Sequence, residues 1–356
     1  MRYRRRLIAH TGIFAKLLPL AHAHNARVVL VNRRDYPGAT PYTEDEFAVL
    51  KEASELLKSD CAPAAREKLA PFMRARAREV YDLLERFVAE HDVPPAQPEK
   101  NTGGIVVVGW SFASAWMMAL LAHVAEFGVN DVELDKFVRR VIFHGKRRPR
   151  LLITFRELMS VHREDGPFHA LGYPPPEDPY NPLWDPALGT DGSHVFVNWV
   201  SGYFQHGETA DEIERRTPLK SPPPTLSTLT DEERASALYP GPGSPGQSDD
   251  LLLASGMQSG VFTELKIKAL YLHPGKAEEA DEADREVVNA WRDVEVRYIW
   301  CDRSVWEMTW TSWKMREEIQ EAKASKKPMR NLQIVRLTGS NHFVSCLKSV
   351  TWCSVF

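Results

Sequence analysis

The chain has 356 residues, of which 43% are hydrophobic, and its formal net charge is −3. This length allows a large core, and a balance so close to neutral argues against nucleic acid as the main partner. The cysteines at 61, 301, 346 and 353 are too few and too widely spaced to indicate a disulfide framework or a zinc site, so a reducing, cytoplasmic location is expected.

The N-terminus loosely resembles a signal peptide, because a basic stretch at residues 1–6 precedes an apolar stretch at residues 7–23. His10 and Lys16 interrupt the apolar stretch. We therefore interpret it as a short strand or loop followed by a helix at about residues 13–24.

Three elements are predicted next along the chain. The β-branched run at residues 27–32 predicts a buried strand, which ends in a turn. Thr43 and Glu46 form a capping-box pattern, which predicts a helix to about residue 58. A longer helix is predicted at about residues 64–92.

Residues 102–125 carry no charge and change character midway. The first half is β-branched and predicts a strand at 104–109, and the second half is rich in helix-forming Ala, Met and Leu. Between them lies Gly109-Trp-Ser-Phe-Ala113, and a serine at a sharp strand-to-helix turn is typical of a hydrolase nucleophile. A transmembrane helix is the first alternative, and a buried strand-turn-helix with an ordinary serine is the second.

A further strand is predicted at residues 137–143, so strands and helices alternate as in a doubly wound, mainly parallel sheet. Residues 146–262 predict a lid inserted into a core formed by residues 1–145 and 263–356. The Pro-rich, aromatic segment at residues 171–184 favours a lid packed on the core over a polyproline ligand. One short helix is expected near Asp231.

The last third returns to an α/β pattern, with strands predicted at residues 294–300 and 331–337. Ser304 and Glu307 form a second capping-box pattern. The tryptophans at 306, 310 and 313 recur at helical spacing, and this stripe favours core packing over a ligand cage.

A serine, an aspartate and a histidine, the residue types of a catalytic triad, each follow a predicted strand. They are Ser111, Asp302 and His342. Carboxyl ends of parallel strands are where open α/β sheets place their sites. Serine, aspartate and histidine in this chain order match the triad of α/β-hydrolases. Asp302 as an ordinary turn residue and His342 as a structural loop histidine are the alternatives.

On these motifs the chain resembles the α/β-hydrolase fold family. Within that family it resembles a fungal group of serine hydrolases, which share the motif Val-Asn-Arg-Arg-Asp-Tyr-Pro-Gly, here at residues 31–38, and the motif Gly-Ser-Asn-His-Phe, here at residues 339–343. The resemblance implies Ser111 as nucleophile, His342 as base and Asp302 as the acid. It also implies an oxyanion hole formed by the backbone N–H of Phe112 and one from the loop containing Thr11 and Gly12.

The chain departs from that family in a short N-terminus, an insertion at residues 145–169 and a short C-terminus. Gene-model error and real truncation would each explain these departures. Glu307, Asp281 and Asp284 are the other candidates for the acid.

The expected activity is cleavage of a carboxylic ester or a similar small, apolar acyl compound, without metal or organic cofactor. The sequence does not indicate an oligomeric state. The alternative is an inactive relative that binds an apolar ligand or a partner.

Overall fold

The computed structural model describes residues 11–128, 132–144, 171–182, 185–188, 192–237, 239, 241–272 and 290–343. Predictions for His10, for the insertion at 145–169 and for Asp281 and Asp284 lie outside these residues. Cys346 and Cys353 lie outside them as well.

Eight α-helices and four strands are formed by the described residues. The helices are α1 (Glu44–Lys58), α2 (Ala62–Glu90), α3 (Ser114–His123), α4 (Gly192–Val200), α5 (Asp231–Ala237), α6 (Ser248–Gln258), α7 (Val261–Leu270) and α8 (Trp306–Ala324). The strands are β1 (Ile105–Trp110), β2 (Val138–His144), β3 (Glu295–Cys301) and β4 (Leu332–Leu337). The short helix expected near Asp231 is present as α5, and Thr43 and Glu46 form the predicted capping box of α1.

The strands form one parallel sheet in the order β1-β2-β3-β4. The predicted α/β class with a parallel sheet is therefore confirmed. Because all strands run in one direction, the residues that follow β1, β3 and β4 lie along the same edge.

Alternating side chains of each strand enter two different clusters. On β3, Val296 and Tyr298 join the large core formed with α2, α3, α7 and α8, whereas Ile299 and Cys301 join a smaller cluster. The smaller cluster includes Leu17 from a 3₁₀ helix at Thr11–Leu20. Apolar residues thus pack on both faces of the sheet, which accounts for the apolar runs of its strands, although Val108 of β1 is exposed.

The prediction of a strand at residues 27–32 is wrong, because these residues form no regular secondary structure. Val29 and Val31 are 53% and 58% exposed. β-propensity describes a side chain that fits a paired, half-buried surface, and here no strand is paired with this run.

Two further predictions are corrected. The helix expected at residues 13–24 is a 3₁₀ helix, Thr11–Leu20, that contains Pro19, followed by a short turn, His22–His24. The capping box predicted for Ser304 and Glu307 is not formed, because α8 begins at Trp306 and Val305 is its N-cap.

The Pro-rich segment at 171–182 is fastened to α8. The indoles of Trp306 and Trp310 donate to the backbone oxygens of Tyr180 and Pro174, each at 2.9 Å. Trp306 is also fully buried, which confirms core packing for that member of the tryptophan stripe.

No helix within the described ranges is long and apolar enough to cross a membrane. The uncharged stretch at residues 102–125 is divided between β1 and α3.

We expect Val29→Thr/Val31→Thr to reduce aggregation without lowering the melting temperature. Both side chains expose apolar surface, and threonine keeps their shape. Light scattering at increasing protein concentration, together with a thermal melt, tests this. Val141→Thr places a hydroxyl in the buried core, so it serves as the control that should lower the melting temperature. Unchanged scattering in the double variant would contradict the prediction.

Candidate active site

A sharp turn connects β1 to α3 at Ser111. The backbone of Ser111 has φ +60°, which an L-residue other than Asn or Asp rarely adopts. Residues Ser111–Ala113 form one 3₁₀ turn, and α3 follows directly. Such a conformation costs on the order of 1–3 kcal/mol and persists where the surroundings enforce it. Ser111 thus lies in a strained turn between a strand and a helix, which is the backbone geometry that a nucleophile elbow requires.

Gly109 is required by this turn. A Cβ at this position would lie 2.4 Å from Met117 Cγ and 2.6 Å from the carbonyl oxygen of Ala113. The backbone of β1 therefore approaches α3 more closely than any side chain permits. The hydroxyl of Ser114 adds a hydrogen bond of 3.2 Å to the carbonyl oxygen of Gly109.

The serine is buried at the positive end of α3. Arg33 is far from this turn in the sequence but close to it in the fold. Its guanidinium carbon lies 5.3 Å from the centroid of the Phe112 ring and 4.9 Å from that of the Trp116 ring. Arg33 also donates a hydrogen bond of 2.5 Å to Asp249 on α6. The turn at Ser111 thus lies next to a cation that also holds α6.

His342 is fully buried and lies against the end of β1. Its ring is stacked on that of Trp110, the residue before Ser111, with 6.0 Å between centroids and 19° between planes. β1 and β4 are separated by two strands, about 14 Å at the usual strand spacing. The loop after β4 therefore crosses the sheet edge to bring His342 to the serine turn.

The loop that carries His342 is held by its neighbour Asn341. The side-chain amide of Asn341 donates to the Ser201 carbonyl oxygen at 2.5 Å and to Thr225 Oγ1 at 2.8 Å. Residues of the predicted lid insertion thus position the loop of the candidate base.

Asp302 follows β3 as predicted, but its carboxylate is bound on the β4 side. Arg336 donates to Oδ2 from Nε at 2.9 Å, and the backbone N–H of Gly339 donates to Oδ1 at 2.7 Å. The structure does not join this carboxylate to His342 by a hydrogen bond. His342 contacts Trp110, the residue before Ser111, whereas Asp302 follows β3, two strands from β1 along the same edge.

Glu307 is a second carboxylate near this edge. It lies in the first turn of α8 and is fully buried, whereas sequence reasoning assigned it to a capping box. By burial alone, Glu307 fits the role of a triad acid as well as Asp302 does.

The structure describes the positions of the residues predicted to form the oxyanion hole. Phe112 follows Ser111 in the 3₁₀ turn, as the resemblance implies. Gly12 lies in the 3₁₀ helix Thr11–Leu20, and its backbone packs against Ser236 of α5. Phe14, two residues later, contacts Trp110 edge-on at 4.9 Å. The segment that contains Thr11 and Gly12 therefore reaches the end of β1.

Other chemistry near the site is limited. Burial raises the pKa of the Cys301 thiol, so this cysteine stays protonated and is a poor nucleophile. Among the residues that the structure describes, no group of three or more His, Cys, Asp or Glu side chains could hold a metal ion.

Three residues of the region were missed by sequence reasoning: Arg33, His206 and Arg336. An arginine near the end of an otherwise apolar strand was a signal for Arg336, and Arg33 lies within a motif that was noted but given no role. His206 carried no signal. It contacts the Ser304 carbonyl oxygen at 2.7 Å, and burial lowers its pKa.

No family model matches the chain, and no curated protein matches its sequence.

We expect Gly109→Ala to lower the free energy of unfolding by about 1–3 kcal/mol, as overpacking of a tight contact does. The added Cβ would meet Ala113 backbone, which cannot rotate away. Urea denaturation measures the change. Gly128→Ala is the matched control, because a Cβ there meets no atom within 4 Å. Equal stability of the two variants would show that β1 and α3 are not in tight contact.

Proposed function

We propose that this protein is a serine hydrolase that cleaves a carboxylic ester or a related acyl compound through an acyl-enzyme. The observation that carries the proposal is the strained turn at Ser111, with His342 stacked on the adjacent Trp110. A serine in a left-handed conformation between a strand and a helix costs free energy, and a functional site is the common reason for keeping it.

The proposed reaction begins with proton transfer from the Ser111 hydroxyl to the imidazole of His342. The serine oxygen attacks the substrate carbonyl, and the resulting oxyanion accepts a hydrogen bond from the Phe112 N–H. The N-terminus of α3 adds a favourable partial charge. His342 then protonates the leaving alcohol, and water, activated by the same histidine, releases the acid and regenerates Ser111.

The acid of the triad is proposed to be Asp302. It follows a strand at the carboxyl edge, two strands from β1 and next to the strand that leads to His342. Its role would be to hold the imidazole tautomer and to stabilise the imidazolium. Glu307 is the competing candidate because of its complete burial.

The second candidate function is a catalytically inactive relative that binds an apolar ligand or a partner. The hydrogen bonds of Asp302 to Arg336 and Gly339, in place of one to His342, favour this alternative. The two functions differ in whether Ser111 is an activated nucleophile.

Labelling with a fluorophosphonate probe tests the nucleophile. We expect the wild-type protein to be labelled covalently and Ser111→Ala to lose all labelling. Ser114→Ala is the control, because Ser114 lies in the same turn and is equally buried, yet it donates to Gly109. Absence of labelling in folded wild-type protein would favour the inactive relative.

Substitution of the carboxylates tests the acid. We expect Asp302→Asn to lower kcat on an activated ester by roughly 10⁴-fold, as loss of the orienting carboxylate does in a serine protease. Arg336→Gln removes the ion pair between Arg336 and Asp302 but keeps the Asp302 carboxylate. It therefore separates an effect of the carboxylate on kcat from an effect of the ion pair on stability. The Arg336 side chain is 55% exposed and that of Asp302 only 7%, so a thermal melt of Arg336→Gln is needed to measure what the pair contributes to stability. If Asp302→Asn keeps near-full activity and Glu307→Gln abolishes it, Glu307 is the acid and the hydrolase proposal stands.

A further inference from the structure

A cleft opens beside β4, away from the serine turn. We call it the α8–β4 cleft; it has a volume of about 170 Å³. Its wall includes Trp300 of β3, Arg336 of β4, and Thr309, Trp313 and Arg316 of α8. Neither Ser111 nor His342 lines it.

The cleft follows from the fold. Trp300 and Arg336 are register partners on adjacent strands, and β4 is the outer strand of the described sheet. Thr309, Trp313 and Arg316 recur at intervals of four and three residues, so they form one stripe of α8. The stripe faces the Trp300–Arg336 pair across the cleft.

Two buried hydrogen-bonding atoms in this wall have no partner within the described part of the chain. They are Trp300 Nε1 and Thr309 Oγ1, in residues that are 6% and 3% exposed. An indole N–H is a donor only, and a buried donor without an acceptor costs free energy.

Neighbouring groups of the same types are satisfied. The indoles of Trp306 and Trp310 donate to backbone oxygens, and the Thr311 hydroxyl donates to the Glu307 carbonyl oxygen at 2.8 Å. The missing partners of Trp300 and Thr309 therefore do not follow from their residue types or from a place on α8 alone.

The wall of the cleft carries two arginines and two carboxylates, and they are not all paired with each other. Arg336 is already paired with Asp302 and lies over the Trp300 ring, with its guanidinium carbon 5.6 Å from the centroid. Arg316 is exposed and forms no ion pair with any residue that the structure describes. Asp302 is neutralised by Arg336, and Glu208 is exposed, so Arg316 is the cation of this wall that can pair with a ligand.

His206 adds an acceptor. Its Nε2 lies 2.7 Å from the Ser304 carbonyl oxygen, so Nε2 carries the proton. Because burial lowers its pKa, the ring is neutral near pH 7, and Nδ1 has a lone pair available.

We propose that the α8–β4 cleft binds a small carboxylate that carries a hydroxyl group. The carboxylate accepts hydrogen bonds from Trp300 Nε1, Thr309 Oγ1 and the Arg316 guanidinium, and the ligand hydroxyl donates to His206 Nδ1. The exposed Arg336 side chain covers the Trp300 ring and moves aside on binding. The cleft shares Asp302, the proposed acid, with the proposed hydrolase site, but the ligand contacts named here do not include Asp302, and glycolate binding is measured without ester cleavage.

Thermal melts with increasing glycolate test the proposal, with sodium chloride at equal ionic strength as the reference. We expect a saturable rise in melting temperature with glycolate, a smaller one with acetate, which lacks the hydroxyl, and none with chloride. A saturable rise with inorganic phosphate and none with either carboxylate would overturn the assignment to a carboxylate.

Matched variants separate binding from folding. Thr309→Val removes an unsatisfied donor while keeping its shape, so it should melt no lower than wild type without ligand. Trp300→Phe removes the other donor but also part of a buried ring, so it should melt lower than wild type without ligand. They should weaken the apparent glycolate affinity at least about tenfold, since a site built to hydrogen-bond a polar ligand depends strongly on each donor. Thr311→Val and Trp310→Phe remove satisfied donors, so they should lower the melting temperature but keep the glycolate response.

Indole N–H resonances of ¹⁵N-labelled protein give a direct readout. The Trp300 signal is the one that disappears in Trp300→Phe, and we expect it to shift with glycolate. An unchanged Trp300 signal at glycolate concentrations that saturate the melting curve would overturn the proposal. So would an equal glycolate response in all four variants, or no response in wild type.

Discussion

The close contact between β1 and α3 is the constraint on which the rest of the site depends. With no side chain at Gly109, strand and helix meet at atomic contact, and the chain between them must reverse within a few residues. That reversal puts Ser111 into a left-handed conformation. The large core beneath α3 supplies the packing that maintains this strain, since nearly every residue of α3 is buried.

The parts of the fold that could be predicted are those in which local pattern and tertiary pairing agree. The β-branched runs of β1, β2 and β3 each have a parallel neighbour, and the pattern located them to within a residue or so. The run at 27–32 has the same composition but no neighbour, and pairing is a long-range property that composition does not encode. The prediction of Ser304 as the N-cap of α8 was wrong for a similar reason. The packing of the fold, rather than the four-residue pattern, decides where α8 begins.

The candidate site was predictable at the level of backbone position. Parallel strands place their carboxyl ends on one edge, so Ser111, Asp302 and His342 could be assigned to that edge from strand order alone. Side-chain pairing could not be assigned in this way. The ion pair of Asp302 with Arg336 joins residues 34 positions apart, and the contact of Arg33 with Asp249 joins residues 216 apart. Each pair depends on the sheet register or on how α6 packs.

The geometry of Asp302 limits how a triad could form. An ionised carboxylate has about four lone-pair positions, and Arg336 and the Gly339 N–H occupy part of this capacity. An acceptor position on Oδ1 therefore remains for an imidazole N–H without loss of either bond. The backbone N–H of Arg303 donates to the Ser340 carbonyl oxygen at 3.0 Å, which couples the Asp302 loop to the loop of His342. Because these loops are coupled, a triad would form by a local adjustment of residues 341–343 rather than by movement of β3 against β4.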